Sequence, residues 1–411
     1  MAASIAVDPL LPPKPEHPLR NPFFRKWWIG ASISLTGDQF YLVALPWVIL
    51  QLTGSAVAMG SILMLAAVPR AVLMLLGGAL SDRFSPRKIM MCTASARTLF
   101  VAAIGILLWA HQLHIWHLYL LAFAFGTADA FGAPAASTFL PSLVKKEQLL
   151  AANSVFQSTA QVTMIAAPAP AGLVIRAFGA VWAFLMDAVS FLFIIGALWQ
   201  LPDPPQTSGT MKKPPVWRSI LEGIGHVYRD VPLRSLMSLA AVINFCLAGP
   251  MSVGLAYLAK QRFGSPAAYG VLISSIAAGG LAGAFLAGVW KPQRRGVLML
   301  SVATLLALGV GSVGLLHSLW AIAVVLVVMG VSAGLTNIQI VSWVQKRVEQ
   351  AVRGRVMSVL MFLSLGLMPI SLALAGVLAQ WSLKGLFLLG SAALLLVTTA
   401  GAMQKTVRDI E

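Results

Sequence analysis

Gly77-Gly78-Ala79-Leu80-Ser81-Asp82-Arg83-Phe84-Ser85-Pro86-Arg87-Lys88 is the stretch on which the fold turns. It leaves one apolar run, residues 57–80, and enters another, residues 89–110. Asp82, Arg83, Arg87 and Lys88 crowd into the short turn between them. Crossing roughly 30 Å of hydrocarbon takes about 20 apolar residues. Backbone in lipid satisfies its own hydrogen bonds only as a helix or a closed barrel, and runs this long and continuous predict helices. The pattern recurs along the chain, with apolar runs at 27–51, 57–80, 89–110, 116–138, 154–176, 180–201, 235–259, 267–290, 297–316, 319–342, 355–380 and 383–403. An all-α membrane protein with twelve spans is expected.

Composition agrees. The 411 residues are 58% hydrophobic and 10% charged, against about 25% charged in soluble domains. The net charge of +16 sits in short loops between apolar runs. That placement is the bias of cytoplasmic loops rather than a nucleic-acid stripe, so no nucleic-acid partner is expected. With the N-terminus inside, 23 Lys and Arg fall on the cytoplasmic side and four outside, namely Arg176, Lys260, Arg262 and Lys384. Both termini are therefore placed in the cytoplasm, in the cell membrane of a bacterium. Cys92 and Cys246 lie in separate apolar runs and suggest neither a disulfide framework nor a zinc site.

The longest connection, Pro202 to Pro232, follows the sixth run and divides the chain six plus six. The expected organisation is a disordered cytoplasmic leader (1–22), an N-terminal six-helix bundle (23–201), a cytoplasmic linker (202–233), a C-terminal six-helix bundle (234–404) and a tail (405–411). Trp217 to Tyr228, in the linker, has an amphipathic pattern. The leader is proline-rich with no apolar core, so it does not read as a cleavable signal peptide. Traces of duplication survive between the halves. Gly54-Ser55, Ala58, Gly60 and Gly78 recur 210 residues on as Gly264-Ser265, Ala268, Gly270 and Gly288. Ser154-Val155 and Ala171-Gly172 recur at an offset of 204 as Ser358-Val359 and Ala375-Gly376. Two consistent offsets favour a parallel repeat whose halves face each other across a central cavity.

The opening stretch resembles the loop signature of the major facilitator superfamily between spans two and three, with Ser85 where a glycine is usual and Pro86 in place of a basic residue. Leu35-Thr36-Gly37-Asp38 with Ala44-Leu45-Pro46-Trp47, Leu140-Pro141-Ser142-Leu143-Val144 and Arg353-Gly354-Arg355-Val356-Met357-Ser358 are similar to the macrolide-efflux-like and enterobactin-exporter-like subgroup. The resemblance covers nearly the whole chain. It implies a cytoplasmic gate of Gly78, Asp82, Arg83, Arg87 and Lys88, with Asp82 facing the positive N-terminal end of span eleven near Gly354. It also implies a helix-bending motif in span five, here Pro168 and Gly172, with alanine where glycine is usual.

Ionisable side chains inside a span usually face a cavity or a partner. Asp38, Arg70, Arg97, Asp129 and Asp187 are the candidates, all in the N-terminal half; the other half offers neutral Asn244, Asn337 and Gln339. Asp38 lies 11 residues past Trp27, about 16 Å along a helix and near the midplane. Asp38, Arg70, Arg97 and Asp129 are proton-coupling candidates. The alternative is structural pairing, Asp38 with Arg97 and Asp129 with Arg70. Asp187 is placed nearer the outer face, bonding locally to Ser190. His111, His114 and His117 read as a solvated turn rather than a metal site. Trp27, Trp28, Trp109, Trp116, Trp320 and Trp381 are expected at the membrane interfaces.

No phosphate-binding Gly-x-x-x-x-Gly-Lys-Ser/Thr loop, His-Glu-x-x-His helix or Gly-x-Ser-x-Gly elbow is present, so the chain does not read as an enzyme. A proton-coupled exporter of an amphipathic drug, siderophore or metabolite is the leading reading. It would be a monomer with membrane lipids, protons and a small-molecule substrate as partners, and without cofactor or metal. Import, facilitated passage and a non-transporting sensor or scaffold on the same fold are the alternatives.

Overall fold

A computed structural model describes residues 17–81, 84–203, 224–289 and 295–403. The first half comprises α1 (Pro22–Thr53), α2 (Ala56–Ser81), α3 (Pro86–Trp109), α4 (Ile115–Leu143), α5 (Leu149–Ala166), α6 (Pro168–Phe178) and α7 (Ala180–Trp199). The second comprises α8 (Val231–Gly249), prolonged by wider turns to Phe263, then α9 (Pro266–Val289), α10 (Arg295–Leu315), α11 (Leu319–Arg347), α12 (Gln350–Gly366), α13 (Met368–Trp381) and α14 (Leu383–Met403). Eleven described segments are each long and apolar enough to cross a membrane, and α5 with α6, bent by 41°, makes the twelfth. The bend falls where Pro168 cannot continue the ladder.

Local chemistry sets the helix ends. Asn21 Oδ1 accepts the N–H groups of Phe23 and Phe24 at 2.9 and 3.4 Å, just ahead of Pro22. Ser85 does the same for α3, its Oγ accepting the Lys88 N–H at 3.4 Å with Pro86 at the first helical position. The two residues that depart from the loop signature are thus a serine cap and an initiating proline. Helix α1 ends on Gly54 at φ 62°, and the prolonged α8 ends on Gly264 at φ 58°. Both glycines occupy the left-handed region that terminates a helix without Cβ strain. They are the 210-residue repeat seen in sequence, and structurally they are one cap used twice.

Within the first half α1 packs on α7, α2 on α4, and α3 on both α4 and α7. Within the second, α9 packs on α11 and α10 on α14. Gly279, Gly283, Gly330 and Gly334 let the α9 and α11 backbones touch. The halves join along two seams, α2 with α13 and α6 with α9. The repeated glycines line both. Gly60 lies against the Leu372 carbonyl and Gly376, while Gly172 lies against Pro266 and Ala267 and Gly270 against Pro168. Two helix starts are capped across these seams. The Ala56 N–H donates to Gln380 Oε1 at 2.7 Å and the Ala169 N–H to Ser274 Oγ at 3.2 Å, satisfying first-turn donors that have no partner in their own helix. Lys260 Nζ stands 4.8 Å from the centroid of the Trp47 ring, another link between the halves.

The seam contacts gather toward the ends of the helices remote from the chain ends. On the face that carries the chain ends, called here the terminal face, α12 touches α8 and α2 to a similar, small extent. The structure is therefore closed at the far face.

Some expectations fall partly or wholly outside the described residues. Of the amphipathic segment 217–228, residues 224–228 are helical and the rest is not described. The leader up to residue 16 and the tail from 404 likewise lie outside. At the start of α8, Asp230 accepts two hydrogen bonds from Arg347, at 2.8 and 3.2 Å, tying that helix to the end of α11. Trp109, Trp116, Trp320 and Trp381 are exposed. Trp27 is not at an interface: it is fully buried against Phe24 and Phe156, because α1 begins five residues earlier, at Pro22, than its apolar run suggests.

Candidate functional site

The four candidate charges converge in the N-terminal half. Arg97 of α3 donates from Nη2 to Asp38 Oδ1 of α1. Its Nη1 stands 3.7 Å from Asp129 Oδ1 of α4, and Arg70 Nε of α2 lies 3.1 Å from Asp129 Oδ2. The result is a chain of alternating charge, Arg70–Asp129–Arg97–Asp38, running across four helices. The Arg97 guanidinium is sandwiched by Phe125 and Phe191, whose ring centroids are 4.5 and 4.4 Å from Cζ. Both aromatic faces offer cation–π attraction in a site stripped of most water. Tyr41, one turn after Asp38, stacks on Phe125 at 4.4 Å and 15°.

Exposure grades along this chain. The Arg70 side chain is 52% exposed, Asp129 20%, Asp38 25% and Arg97 17%. The cluster is thus most accessible at Arg70 and most enclosed at Arg97, between the two carboxylates. In the second half, Asn244 is turned back on its own helix, donating to the Ala240 carbonyl at 3.0 Å, and Gln339 is buried.

Asp187 keeps the expected local bond to Ser190, but it also belongs with the cluster. It is fully buried, and it lies against Gly37, where an added Cβ would stand 2.7 Å from Asp187 Oδ1. Its depth is therefore that of Asp38. The stagger of α1 on α7 that brings the two together is not visible in the apolar runs. Gly37 beside Asp38 was the available signal, since a glycine facing a neighbouring helix marks close backbone approach. Ser190 does bond locally: its Oγ donates to the Asp187 carbonyl at 2.7 Å and lies only 3.4 Å from Oδ1.

The loop signature is divided. Asp82 and Arg83 lie outside the described residues. Gly78 belongs to α2 and Gly354 to the start of α12. Arg87 donates to the carbonyls of Leu198 and Trp199 at 2.6 and 3.0 Å and stands 3.5 Å from Asp203. Ser85 Oγ donates to Asp203 Oδ1 at 2.7 Å, and the Lys88 side chain is exposed. All these described bonds tie α3 to the end of α7 inside one half. Pro168 and Gly172, by contrast, sit on the α6–α9 seam. His117 Nδ1 accepts the His114 N–H at 3.0 Å, which makes that ring a helix cap.

Two helical bundles joined along two seams, one bundle holding an interior charged cluster, make a membrane transporter rather than an enzyme. The chain belongs to the Major Facilitator Superfamily, whose family model matches residues 27–371. It is 27% identical over 360 residues to the multidrug efflux pump Tap of Mycobacterium tuberculosis, covering 85% of each protein. It is 24% identical over 405 residues to macrolide efflux protein A of Streptococcus pyogenes, covering 93% of this chain and 96% of that one. It is 26% identical over 362 residues to the enterobactin exporter EntS of Citrobacter koseri, covering 82% and 80%. The crystal structure of the nucleoside transporter NupG (D323A mutant) superposes with a TM-score of 0.78 at 10% identity, over 93% of this chain and 99% of that chain. That likeness carries the fold alone.

Proposed function

We propose that this transporter exports an amphipathic small molecule across the cell membrane in exchange for protons, with both termini in the cytoplasm. The observation that carries the reading is the chain Arg70–Asp129–Arg97–Asp38, an interior set of titratable carboxylates. An intramembrane charge that costs about 2.5–3.5 kcal/mol on insertion scales is retained where it does work. The exporters named among the relatives support the direction. Arg97 keeps the carboxylates oriented, Asp38 and Asp129 take and release the proton, and the uncharged second half supplies an apolar wall. Alternating access, by rocking the halves about the two seams, changes what surrounds each carboxyl.

The test is uptake of ethidium, erythromycin and tetracycline into everted vesicles, with and without an imposed proton gradient. At least one compound is expected to accumulate only with the gradient. Accumulation of none, or accumulation indifferent to the gradient, overturns the reading.

The orientation has its own test. Single cysteines replacing Ser55 and Ser318, in a background lacking Cys92 and Cys246, are expected to react with an impermeant reagent on intact cells. Reaction of both only after permeabilisation would reverse the topology. For Asp82 we propose the gate role that the loop signature implies. Asp82→Asn is expected to express normally and to transport more slowly in the vesicle assay, whereas full activity leaves Asp82 without that role.

A further inference from the structure

Four buried side-chain polar atoms lack a hydrogen-bond partner among the described residues, and three belong to one patch: Tyr41 Oη, Arg97 Nε and Asp187 Oδ2. Buried orphans of this kind are uncommon, and each calls for an explanation. The patch lies where α1, α3 and α7 pack together. Its three atoms are chemically complementary, two donors and a carboxyl oxygen, yet none of the three is paired.

The charge tally points the same way. Asp38, Asp129 and Asp187 face two guanidiniums, Arg70 and Arg97. With all three carboxyls ionised the cluster holds an uncompensated negative charge, and with one of them neutral it balances. Both terminal nitrogens of Arg97 are directed to Asp38 and Asp129. Ser190 Oγ donates to the Asp187 main-chain carbonyl at 2.7 Å and to its Oδ1 only at a long 3.4 Å. Asp187 is therefore the carboxyl left without a strong donor, and it is also the one with no exposure. An ionised carboxylate so placed is costly, and such a group neutralises instead.

We propose that Asp187 is a second, fully enclosed proton-holding carboxyl of the coupling site, neutral in the conformation closed at the far face, and that it shares one proton and the Arg97 guanidinium with Asp38. This rests on the proton-coupled reading above. In the exchange, the O–H bond of Asp187 breaks and an O–H bond forms on Asp38. Arg97 correspondingly moves its hydrogen bond from Asp38 to Asp187. No charge is created, because one carboxyl is neutral before and after. The charged and titratable groups facing Asp187 are Asp38 and Tyr41 from α1 and Arg97 from α3, with Asp129 of α4 behind Arg97. Helix α6, also packed on α7, carries only Arg176, in its last turn.

Infrared spectroscopy of the purified full-length chain at neutral pH tests this without any transported compound. A carboxylic-acid C=O band that shifts in D2O is expected in the wild type and is lost in Asp187→Asn. Because asparagine mimics the neutral acid, Asp187→Asn is also expected to melt near the wild-type temperature. Absence of the band in the wild type overturns the proposal without need of a variant, as does its persistence in Asp187→Asn. In vesicles, Asp187→Asn is expected to lose gradient-driven accumulation, and full retention overturns the coupling role. Failure of the underlying reading shows separately, as wild-type accumulation indifferent to the gradient, while the infrared band still reports on Asp187.

Discussion

Asp38→Asn is expected to abolish gradient-driven accumulation while leaving downhill exchange of the same compound measurable. Asparagine keeps the shape and polarity of the side chain but neither binds nor releases a proton near neutral pH. Asp38 is the one carboxylate of α1, paired with Arg97 and partly exposed. Loss of water around it favours the acid, and the adjacent guanidinium favours the carboxylate. A carboxyl drawn both ways changes protonation when a conformational change alters either influence. One proton moving down a gradient of one pH unit is worth about 1.4 kcal/mol, or about a tenfold accumulation ratio. That ratio is expected to fall to unity in Asp38→Asn while exchange persists. Wild-type accumulation by the variant at every pH would make Arg97–Asp38 an orienting pair only, and would pass the coupling role to Asp129.

Much of this architecture is legible in the chain because lipid leaves few choices. A run such as 180–201 has no backbone solution but a helix, and α7 occupies Ala180–Trp199. The interior pairs were also foreseeable, since Asp38, Arg70, Arg97 and Asp129 have little else to pair with in a span. Asp187 was not, because its environment depends on how α1 and α7 are staggered, and stagger is a property of packing rather than of composition. The aromatic sandwich of Arg97 by Phe125 and Phe191 was hidden for the same reason: one phenylalanine among many apolar residues gives no sign of the ring face it offers. Arg87 shows a third kind of limit. A motif names a residue, but its partners here are the main-chain carbonyls of Leu198 and Trp199, and carbonyls are identical in every sequence.

The repeat is where sequence and mechanism meet most closely. Of the residue pairs related by the two offsets, Gly60 and Gly270 at one and Gly172 and Gly376 at the other line the two seams. A position kept small in both halves is one where the other half's backbone must come close during closure.

Gly376→Val is therefore expected to oppose closure of the far face. A Cβ at Gly376 would lie 2.7 Å from the Ala56 carbonyl oxygen and 3.2 Å from Gly60 Cα. The opposing atoms are backbone, so they cannot swing aside as a flexible side chain would. Overpacking of this kind costs about 1–3 kcal/mol. Borne by the closed state alone, it moves the conformational equilibrium about 5–150-fold toward the state open at the far face. A transporter must visit both states in each cycle, so export is expected to fall by a similar factor. A cysteine replacing Ser274 on the other seam, in a background lacking Cys92 and Cys246, reports the shift directly. Ser274 Oγ accepts the Ala169 N–H only while the halves are together, so the cysteine is expected to react faster from the far side in Gly376→Val. Gly288→Val is the control, because a Cβ there meets nothing within 4 Å while the change in helix propensity is the same. Equal cysteine reactivity in Gly376→Val and Gly288→Val, with export unchanged in both, would show that the glycine seams are not where the halves part.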